Sequence, residues 1–546
     1  HNLEDITKYN IGSILWGGDS EPDDLTPTAW ANLSDNLQSY SQKTRLKIPI
    51  IFGIDAVHGN NNVDSSVIFP HNIGLGAAAD PELVERIARI TAIEMRGTGI
   101  HWNFAPCVAV ARNEKWGRTY ESFSEDTELV RLLGTAYLNG LQAENFKGNS
   151  SALACVKHFI GDGGTTDGKD QGNTECSEEE LRKIHLPPYI DAIKNNALTV
   201  MASYNSWNGE KLHGHKYLLT DVLKKELGFK GFIISDWAGI DQLQGNYKDN
   251  VEHTINAGMD MVMIPNGSSR KNNYVEFFNY LNELVEEGKV SIERINDAVR
   301  RILLVKFEVG LFENHEIDRN LIKKIGSTEH RSVAREAVKK SLVLLKNENK
   351  ALPLSKDLKR IYVTGKGAND LGMQCGGWTI TWQGGSYDVI SGGTNLLQAI
   401  RNTVDKNTEV IYSEDGSKIP SGALVITVIG EKPYAEGMGD REYLNLSQED
   451  ISLIKRLKRQ NASIITILFS GRPMIINEAI DLSDAFVAAW LPGTEGEGIT
   501  DVIFGDYNPT GKLSFTWPRS MDQIPINIGD ENYNPLFSYG FGLNYK

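Results

Sequence analysis

Residues 229–237 read FKGFIISDW, and this stretch decides how the fold is interpreted. The apolar run Phe232–Ile234 follows a glycine, which is the pattern of a fully buried parallel strand rather than a half-exposed one. The strand ends at Asp236. An ionised carboxylate at the end of a buried strand is costly unless other groups pair with it, so this position indicates function rather than packing. Asp236 is therefore our candidate nucleophile.

The chain of 546 residues is too long for one ordinary core, so we expect two domains. A hydrophobic content of 40% and a charged content of 23% are typical of a globular protein. The net charge of −15 argues against a nucleic-acid partner, which would require clustered Lys and Arg. Since no apolar run approaches the ~20 residues of a membrane span, we predict no membrane partner either.

Four cysteines are scattered without a CxxC pair, so neither a zinc site nor a disulfide framework is indicated. A Cys155–Cys176 bridge is conceivable, but the pattern favours free buried thiols. We predict no metal and no cofactor. The chain begins at His1 with no signal-like segment, so the compartment cannot be read from the sequence.

Apolar runs alternate with amphipathic helical patterns through the first three hundred residues. Such alternation predicts a parallel sheet, and about eight units would close a (β/α)₈-type barrel. We count seven strands, and the eighth either precedes His1 or is hidden in an irregular segment. The predicted strands are Ile11–Trp16, Ile48–Asp55, Trp102–Cys107, Leu153–Phe159, Leu198–Tyr204, Phe232–Asp236 and Met259–Ile264. The predicted helices are Pro81–Arg96, Asp126–Gln142, Ser177–Asn195 (with a Ser177–Glu180 capping box), Thr220–Leu227, Tyr274–Glu287 and Ser291–Leu311.

A second α/β block follows. We predict a barrel domain at residues 1–308, a linker at 309–324, and a smaller α/β sandwich domain at 325–546 that supplies a catalytic loop. The strands predicted in the second block are Ile361–Thr364, Val410–Tyr412, Ala423–Gly430, Ile464–Phe469 and Phe486–Trp490, with helices at Asn395–Val404 and Ser447–Arg459.

Several predicted barrel strands end in polar residues. Asp55, Lys157, His158 and Tyr204 all occupy such positions. Any one of them could simply be the polar end of a buried strand. Because parallel strands of a barrel end on one face, and that face holds the active site, the set as a whole indicates a site. Arg118, in the loop after the third strand, is a plausible fifth member.

The second block contributes carboxylates and indoles in loops. The loop after the Ala423–Gly430 strand carries Glu431 and Glu436, and an earlier loop carries Trp378 and Trp382. Aromatic faces beside polar groups suit sugar rings. Hydrolysis of a glycosidic bond needs two carboxyl groups, one ionised as nucleophile and one protonated as acid. The residues therefore favour a glycosidase.

The chain resembles the two-domain family-3 glycoside hydrolases, and most closely their β-glucan exohydrolase/β-glucosidase subgroup. The resemblance extends over almost the whole chain and rests on long motifs in one order. These are GIDAVHGNNN at 53–62, IFPHNIGLGA at 68–77, WGRTYESFSED at 116–126, KHFIGDGGTTDG at 157–168, ASYNSWNG at 202–209, GFIISDW at 231–237, CGGWTITWQG at 375–384, GEKPYAEGMGD at 430–440 and AAWLPGTEGEG at 488–498.

The resemblance implies a role for each candidate. Asp236 would be the nucleophile and Glu436 the acid/base, with Glu431 and Glu495 as weaker candidates for the acid. Trp237 and Trp382 would clamp the second sugar, where Gln242 replaces an Arg of plant-type members and leaves the linkage preference open. The pocket for the non-reducing-end glucose would consist of Asp55, Arg118, Lys157, His158, Met201 and Tyr204.

We therefore predict an exo-acting retaining β-glucosidase that releases glucose from non-reducing ends of β-1,3/β-1,4-glucosides by double displacement, without a cofactor. Its partners would be β-linked gluco-oligosaccharides, and its oligomeric state is open. The alternatives are a β-xylosidase or a β-N-acetylglucosaminidase of the same family, or a non-catalytic glycan-binding homologue. The polysaccharide substrate class favours a secreted or periplasmic location.

Overall fold

The computed structural model describes residues 3–146, 148–265, 271–313 and 315–545. The chain forms two compact units. Two segments that precede the predicted linker, 58–87 and 111–133, belong to the second unit, whereas residues 309–324 belong to the first. The domain boundaries given above stay a prediction. Unit 1 comprises the chain up to Val57, Ala88–Val110 and Gly134–Lys324, and unit 2 comprises His58–Ile87, Ala111–Leu133 and the chain from Ile325 onward.

Unit 1 contains a curled parallel sheet in the order β1-β2-β3-β4-β6-β9. Six of the seven predicted strands belong to this sheet, and the seventh is reduced to a single bridge between Met261 and Ile234. The predicted barrel-type α/β fold is confirmed. The strands of this unit are β1 Ser13–Leu15, β2 Ile51–Ile54, β3 Trp102–Asn103, β4 Leu153–Phe159, β5 Asn173–Thr174, β6 Thr199–Ala202, β7 Ser206–Trp207, β8 Glu210–Lys211 and β9 Phe232–Ile234.

The helices predicted from 3.6-residue periodicity are present, with one change of type. Residues 181–185 and 217–226 form π-helical rather than α-helical turns. The Ser177–Glu180 capping box is confirmed. Helix α3 belongs to unit 2, and α4 and α5 cross from one unit to the other. The helices up to residue 308 are α1 Glu4–Tyr9, α2 Pro27–Ser41, α3 Asn72–Ala78, α4 Pro81–Gly97, α5 Thr127–Leu141, α6 Glu178–Glu180, α7 Pro187–Lys194, α8 Tyr247–Ala257, α9 Tyr274–Glu286 and α10 Ile292–Glu308.

Unit 2 contains a mixed sheet in the order β10-β15-β14-β13-β11-β12. The five strands predicted here are found, and the antiparallel edge strand β10 was not predicted. The strands are β10 Val343–Asn347, β11 Arg360–Thr364, β12 Glu409–Tyr412, β13 Leu424–Gly430, β14 Ser463–Phe469 and β15 Ala485–Trp490.

Both faces of this second sheet are covered. On one face Ile426 and Val428 of β13 join a core cluster with Ile400. Because side chains alternate along a strand, Val425 and Ile429 point to the opposite face, where they are also buried and where α14 contacts the sheet. The predicted sandwich is therefore confirmed. The helices of this part are α11 Thr328–Ser341, α12 Leu371–Cys375, α13 Leu396–Thr403, α14 Gln448–Arg459, α15 Asn477–Leu482 and α16 Glu497–Ile503.

The four cysteines are free thiols, so the conceivable Cys155–Cys176 bridge is absent. Three of them are buried as predicted, whereas Cys176 is only half-buried. Within the described ranges, no helix is both long and apolar enough to span a membrane.

Candidate active site

The candidate nucleophile lies at the carboxyl end of β9. Asp236 is buried, with 8% of its surface exposed. Its backbone N–H donates to Nε2 of His213 at 2.9 Å, and the backbone N–H of Trp237 donates to its Oδ1 at 2.7 Å. The preceding Ser235 fixes the strand end, because its Oγ accepts a hydrogen bond from the Met263 N–H at 2.7 Å. Main chain and side chain of Asp236 are thus both held in place, as a nucleophile requires.

His213 holds the backbone of the candidate nucleophile by accepting its N–H, and this role was not predicted. Its ring is almost fully buried, with 1% exposed. Burial, aided by the charge of Lys211, lowers the pKa of His213 to about 3, so the ring is neutral and its Nε2 can accept the Asp236 N–H. No sequence signal points to this role, because a single histidine between Leu212 and Gly214 has no distinguishing pattern.

Two predicted site residues form a partly buried ion pair. Lys157, in β4, places its Nζ 2.6 Å from Oδ1 of Asp55, which follows β2. The Lys157 side chain is almost inaccessible, so its charge depends on this carboxylate. The two residues come from β2 and β4, which β3 separates in the sheet, and their pairing was not predicted.

His158 lies between two carboxylates. Its Nδ1 is 2.8 Å from Oδ2 of Asp162, and its Nε2 is 3.7 Å from Oδ2 of Asp236. The second distance exceeds a hydrogen bond but brings a predicted pocket residue beside the candidate nucleophile. Asp162 was not predicted, although it stands in the KHFIGDGG motif only four residues after His158.

The remaining predicted residues of unit 1 differ in exposure. Met201, in β6, packs in the core cluster that includes Phe232. The Tyr204 hydroxyl donates to the carbonyl oxygen of Trp237. The Trp237 residue remains 40% exposed beside the nucleophile, which is unusual for so large an apolar side chain.

Gln242 belongs to a polar network of unit 1. Its Oε1 accepts a hydrogen bond from Lys211 Nζ at 2.8 Å, and its Nε2 donates to Oε1 of Gln171 at 2.7 Å. Lys211 also donates to the Tyr204 carbonyl oxygen at 2.7 Å. The network fixes the Gln242 side chain in the 3₁₀ turn that closely follows Trp237.

In unit 2, Arg118 connects two glutamates. Its Nε and one terminal nitrogen bind Glu121 in a bidentate manner at 3.0 and 2.9 Å, and its other terminal nitrogen lies 3.1 Å from Oε1 of Glu436. Gly117 permits this approach, because a Cβ there would lie 2.1 Å from the Glu436 carbonyl oxygen. Two predicted residues, Arg118 and Glu436, are therefore in direct contact. Glu121 was missed, although it lies in the quoted WGRTYESFSED motif.

The three candidates for the acid occupy different environments. Glu431 is buried and accepts hydrogen bonds from the Tyr434 hydroxyl at 2.9 Å and the Gly471 N–H at 3.0 Å. Glu495 forms an ion pair with Arg331 at 2.8 Å. Glu436 has a side chain that is 16% exposed, and its backbone has a left-handed φ of 54°. Such a φ is costly for a residue with a Cβ and is enriched at functional positions.

The two indoles of the 375–384 loop are held differently. Trp378 is buried, and its Nε1 donates to Oε1 of Glu121 at 3.3 Å. Trp382 is only half-buried, and its carbonyl oxygen accepts the Trp378 N–H at 3.0 Å. The predicted sugar contact of Trp382 stays a prediction.

Within the described part of the chain, three side chains of the types that bind metal ions lie close together. Ligand atoms of Cys107, His158 and Asp162 lie within 4.8 Å of one another. The 2.8 Å contact between His158 Nδ1 and Asp162 Oδ2 is a hydrogen bond, which would have to be broken to admit an ion. We therefore interpret His158 and Asp162 as hydrogen-bond partners rather than metal ligands.

The chain is similar over nearly its whole length to proteins of known activity. The chain is 32% identical to the lysosomal beta glucosidase of Dictyostelium discoideum over 98% of this chain and 70% of that protein. It is 30% identical to a beta-xylosidase of Formosa agariphila over 94% of this chain and 77% of the relative. The crystal structure of an exo-1,3/1,4-beta-glucanase from a Pseudoalteromonas species superposes with a TM-score of 0.95 at 42% identity, covering 100% of this chain and 71% of that one.

Both parts of the chain match descriptions of one enzyme family. Residues 1–305 match the Glycosyl hydrolase family 3 N terminal domain, and residues 342–545 match the Glycosyl hydrolase family 3 C-terminal domain. The chain therefore belongs to glycoside hydrolase family 3.

Proposed function

We propose that the chain is an exo-acting retaining β-glucosidase that releases glucose from the non-reducing ends of β-1,3- and β-1,4-linked glucosides. The observation that carries the proposal is the Asp236 carboxylate, which is fixed through its backbone by His213 and through its Oδ1 by the Trp237 N–H. The similarity to an exo-1,3/1,4-beta-glucanase supports the choice of linkages.

In the first half of the reaction, Asp236 would attack the anomeric carbon of the terminal glucose. The bond from that carbon to the glycosidic oxygen breaks, and Glu436 gives its proton to this oxygen. The products of this step are a glucosyl ester on Asp236 and a shortened sugar with a free hydroxyl. This chemistry needs the two carboxyl groups ~5–5.5 Å apart when substrate is bound.

In the second half, a water molecule would replace the departed sugar. Glu436, now ionised, takes a proton from this water, and the resulting nucleophile attacks the anomeric carbon. The ester bond to Asp236 breaks, so glucose leaves with its original β configuration and both carboxyl groups return to their starting states.

We assign the acid/base role to Glu436 because its environment differs from those of its rivals. The Glu431 and Glu495 side chains are engaged in buried contacts with Tyr434 and Arg331, respectively. Glu436 lies in a single helical turn with strained backbone and contacts Arg118, another predicted pocket residue. Strain retained at a polar position favours a catalytic role.

The polar side chains at the strand ends would bind the hydroxyl groups of the terminal glucose. Asp55 and Lys157 hold each other at 2.6 Å, and His158 is held by Asp162. Groups that are fixed before the substrate arrives lose little entropy when it binds. The stacking of the second sugar on Trp237 and Trp382 stays part of the proposal.

A β-xylosidase is the second candidate, because one relative of 30% identity carries that name. The two activities differ in whether the pocket admits the C6 hydroxymethyl group of glucose. Comparing kcat/KM for 4-nitrophenyl β-glucoside and β-xyloside decides between them. A higher value for the xyloside would contradict the glucosidase proposal.

The nucleophile is tested with Asp236→Asn, for which Asp241→Asn in the next turn is a matched control. We expect the first variant to lose turnover of aryl β-glucosides by at least ~10³-fold while it remains folded, and the control to stay within a few-fold. A near-normal rate for Asp236→Asn would refute its role.

The acid is tested with Glu436→Ala and the exposed control Glu442→Ala from the same loop. We expect Glu436→Ala to lose most activity on substrates with poor leaving groups and to be partly rescued by azide with formation of β-glucosyl azide. If Glu495→Ala showed this behaviour instead, the assignment of the acid would be wrong.

A further inference from the structure

We propose that Asp162 is a positioning residue that holds His158 with its Nε2–H directed at the reacting end of the sugar. The inference rests on the proposed function and extends it to a residue that acts through another one. It starts from the row of three groups formed by Asp162, His158 and Asp236.

The first half of this row is a fixed hydrogen bond. His158 Nδ1 donates to Oδ2 of Asp162 at 2.8 Å, and Oδ1 of the same carboxylate accepts the Gly163 N–H at 3.0 Å. Both Asp162 and His158 are buried. Because each carboxylate oxygen has a donor, Asp162 has one orientation and imposes one orientation on the ring.

The loop around Asp162 is built tightly. Gly161 has a φ of +88°, which residues with a side chain rarely adopt, and residues 162–164 form one 3₁₀ turn. A Cβ at Gly164 would lie 2.6 Å from Nε2 of His185, so the turn packs directly on a buried ring. The position of Asp162 is therefore set before any substrate arrives.

The second half of the row concerns the other ring nitrogen. Since Nδ1 donates to Asp162, Nε2 carries either a lone pair or a proton. A lone pair would face Oδ2 of Asp236 at 3.7 Å, which places two acceptors opposite each other. A proton on Nε2 would instead leave each N–H of the ring facing a carboxylate. Asp162 and Asp236 together thus favour the doubly protonated ring, which presents a donor beside the nucleophile.

This donor has a use in the reaction. A separation of 3.7 Å is too long for a hydrogen bond to Asp236, and a sugar hydroxyl next to the anomeric carbon would offer Nε2–H a closer acceptor. Hydrogen bonds to a hydroxyl adjacent to the reacting carbon strengthen in the transition state of glycoside hydrolysis. Loss of Asp162 would release the ring to turn or to change its tautomer, and the donor would be misdirected.

The test is a double-mutant cycle on kcat/KM for an aryl β-glucoside, with Asp162→Asn, His158→Gln and the double variant. We expect Asp162→Asn to lower kcat/KM by about 10–100-fold, by analogy with the loss of a carboxylate that orients a metal-ligating histidine. The double variant should match His158→Gln within about 2-fold, because Asp162 acts only through His158. Asp167→Asn is the matched control, since Asp167 is exposed in the same loop and its φ of 60° suits Asn. The control should stay within about 2-fold of the wild type.

Asp162→Glu is a second variant in case Asp162→Asn does not fold. It keeps the charged acceptor, so we expect a smaller loss than with Asn. Wild-type kcat/KM in Asp162→Asn, or losses that multiply in the double variant, would overturn the inference and leave the proposed function intact. A wild-type protein without β-glucosidase activity would overturn the proposed function, and the inference with it.

Discussion

The contact between Gly239 and His213 offers a sharp test of how the nucleophile is held. Gly239 begins the 3₁₀ turn that follows Asp236 and Trp237. A Cβ added at Gly239 would lie 2.2 Å from Nε2 of His213 and 2.4 and 2.7 Å from two carbons of the same ring. Gly239→Ala therefore pushes on the ring that accepts the Asp236 N–H.

The size of the effect follows from these distances. The ring must retreat by about 1.2 Å to restore an ordinary contact of 3.4 Å, which lengthens the 2.9 Å hydrogen bond from Asp236 beyond its useful range. Overpacking of a buried site costs about 1–3 kcal/mol of folding free energy. A shift of ~1 Å in a catalytic group can lower kcat by about 10²-fold. We therefore expect Gly239→Ala to fold with reduced stability and to lose about two orders of magnitude in kcat.

The assay combines urea unfolding with kcat and KM on 4-nitrophenyl β-glucoside. Gly12→Ala is the matched control, because a Cβ there meets only Lys306 Nζ, at an ordinary 3.5 Å. We expect the control to keep kcat within a few-fold. Gly239→Ala in a His213→Ser background should cost little further stability, since Ser removes the ring that the methyl group strikes.

Two results would refute this reasoning. Wild-type kcat in Gly239→Ala would mean that displacing His213 leaves the nucleophile undisturbed. An equal stability cost of Gly239→Ala with and without the His213 ring would mean that the clash lies elsewhere.

Three further tests concern buried charged or titratable groups. Burial lowers the pKa of His58 to about 4 and that of its stacked neighbour His71 well below its usual value. The histidines of the unfolded chain, with a pKa of about 6.5, therefore bind protons before those of the folded chain as the pH falls. The free energy of unfolding should drop by about 2 kcal/mol per histidine from pH 7 to pH 5. Urea unfolding of the wild type and His58→Gln over this pH range checks this, and an equal pH dependence of the two proteins would contradict it. Arg118→Lys loses the bidentate contact with Glu121, so we expect kcat to fall about 10–100-fold. Arg131→Lys, at an exposed ion pair of the same unit, should change kcat little. Comparable losses in the two variants would argue against a role of Arg118 in the reaction. Lys306→Met leaves the carbonyl oxygens of Gly12 and Pro49 without the donor that Lys306 supplies. We expect the free energy of unfolding to fall by about 1–3 kcal/mol, and an unchanged urea midpoint would refute this.

The strands and the positions of polar groups at their ends were predictable from the sequence. Buried strands read as short apolar runs, and parallel strands must end at one edge, so Asp55, Lys157 and Asp236 could be assigned to strand ends without any structure. The Lys157–Asp55 contact marks the limit of such prediction. Strand ends indicate which side chains lie in neighbouring positions, but not which of them pair.

The partners that hold the site could not be predicted in the same way. His213 supports Asp236 through a backbone N–H, and any buried histidine at the right distance would do so without a sequence pattern. Glu121 lies three residues after Arg118, but only the fold of the loop turns their side chains toward each other. The edge strand β10 was missed for a related reason, since an antiparallel strand that directly follows a helix lacks the usual turn signal.

The two cationic side chains that we propose to bind substrate share one feature that bears on its charge. Lys157 of unit 1 has a carboxylate oxygen of Asp55 at 2.6 Å, and Arg118 of unit 2 has one of Glu121 at 2.9 Å. Pockets for phosphate or carboxylate ligands instead use the ligand to compensate their cations. A neutral sugar brings no charge, so the cationic side chains that bind it must be neutralised by carboxylates of the protein itself.

Asp55 allows this link between pocket charge and substrate to be tested directly. Asp55→Asn would leave Lys157 with a neutral partner, so the pocket would bind glucose more weakly and anions more strongly. We expect gluconate to inhibit the variant more strongly than the wild type, by at least about 10-fold in Ki relative to glucose, and the difference to shrink at high salt. Asp167→Asn, which removes an exposed carboxylate of the same unit, should leave the ratio unchanged. An unchanged preference in Asp55→Asn would show that the ion pair does not set the charge of the pocket.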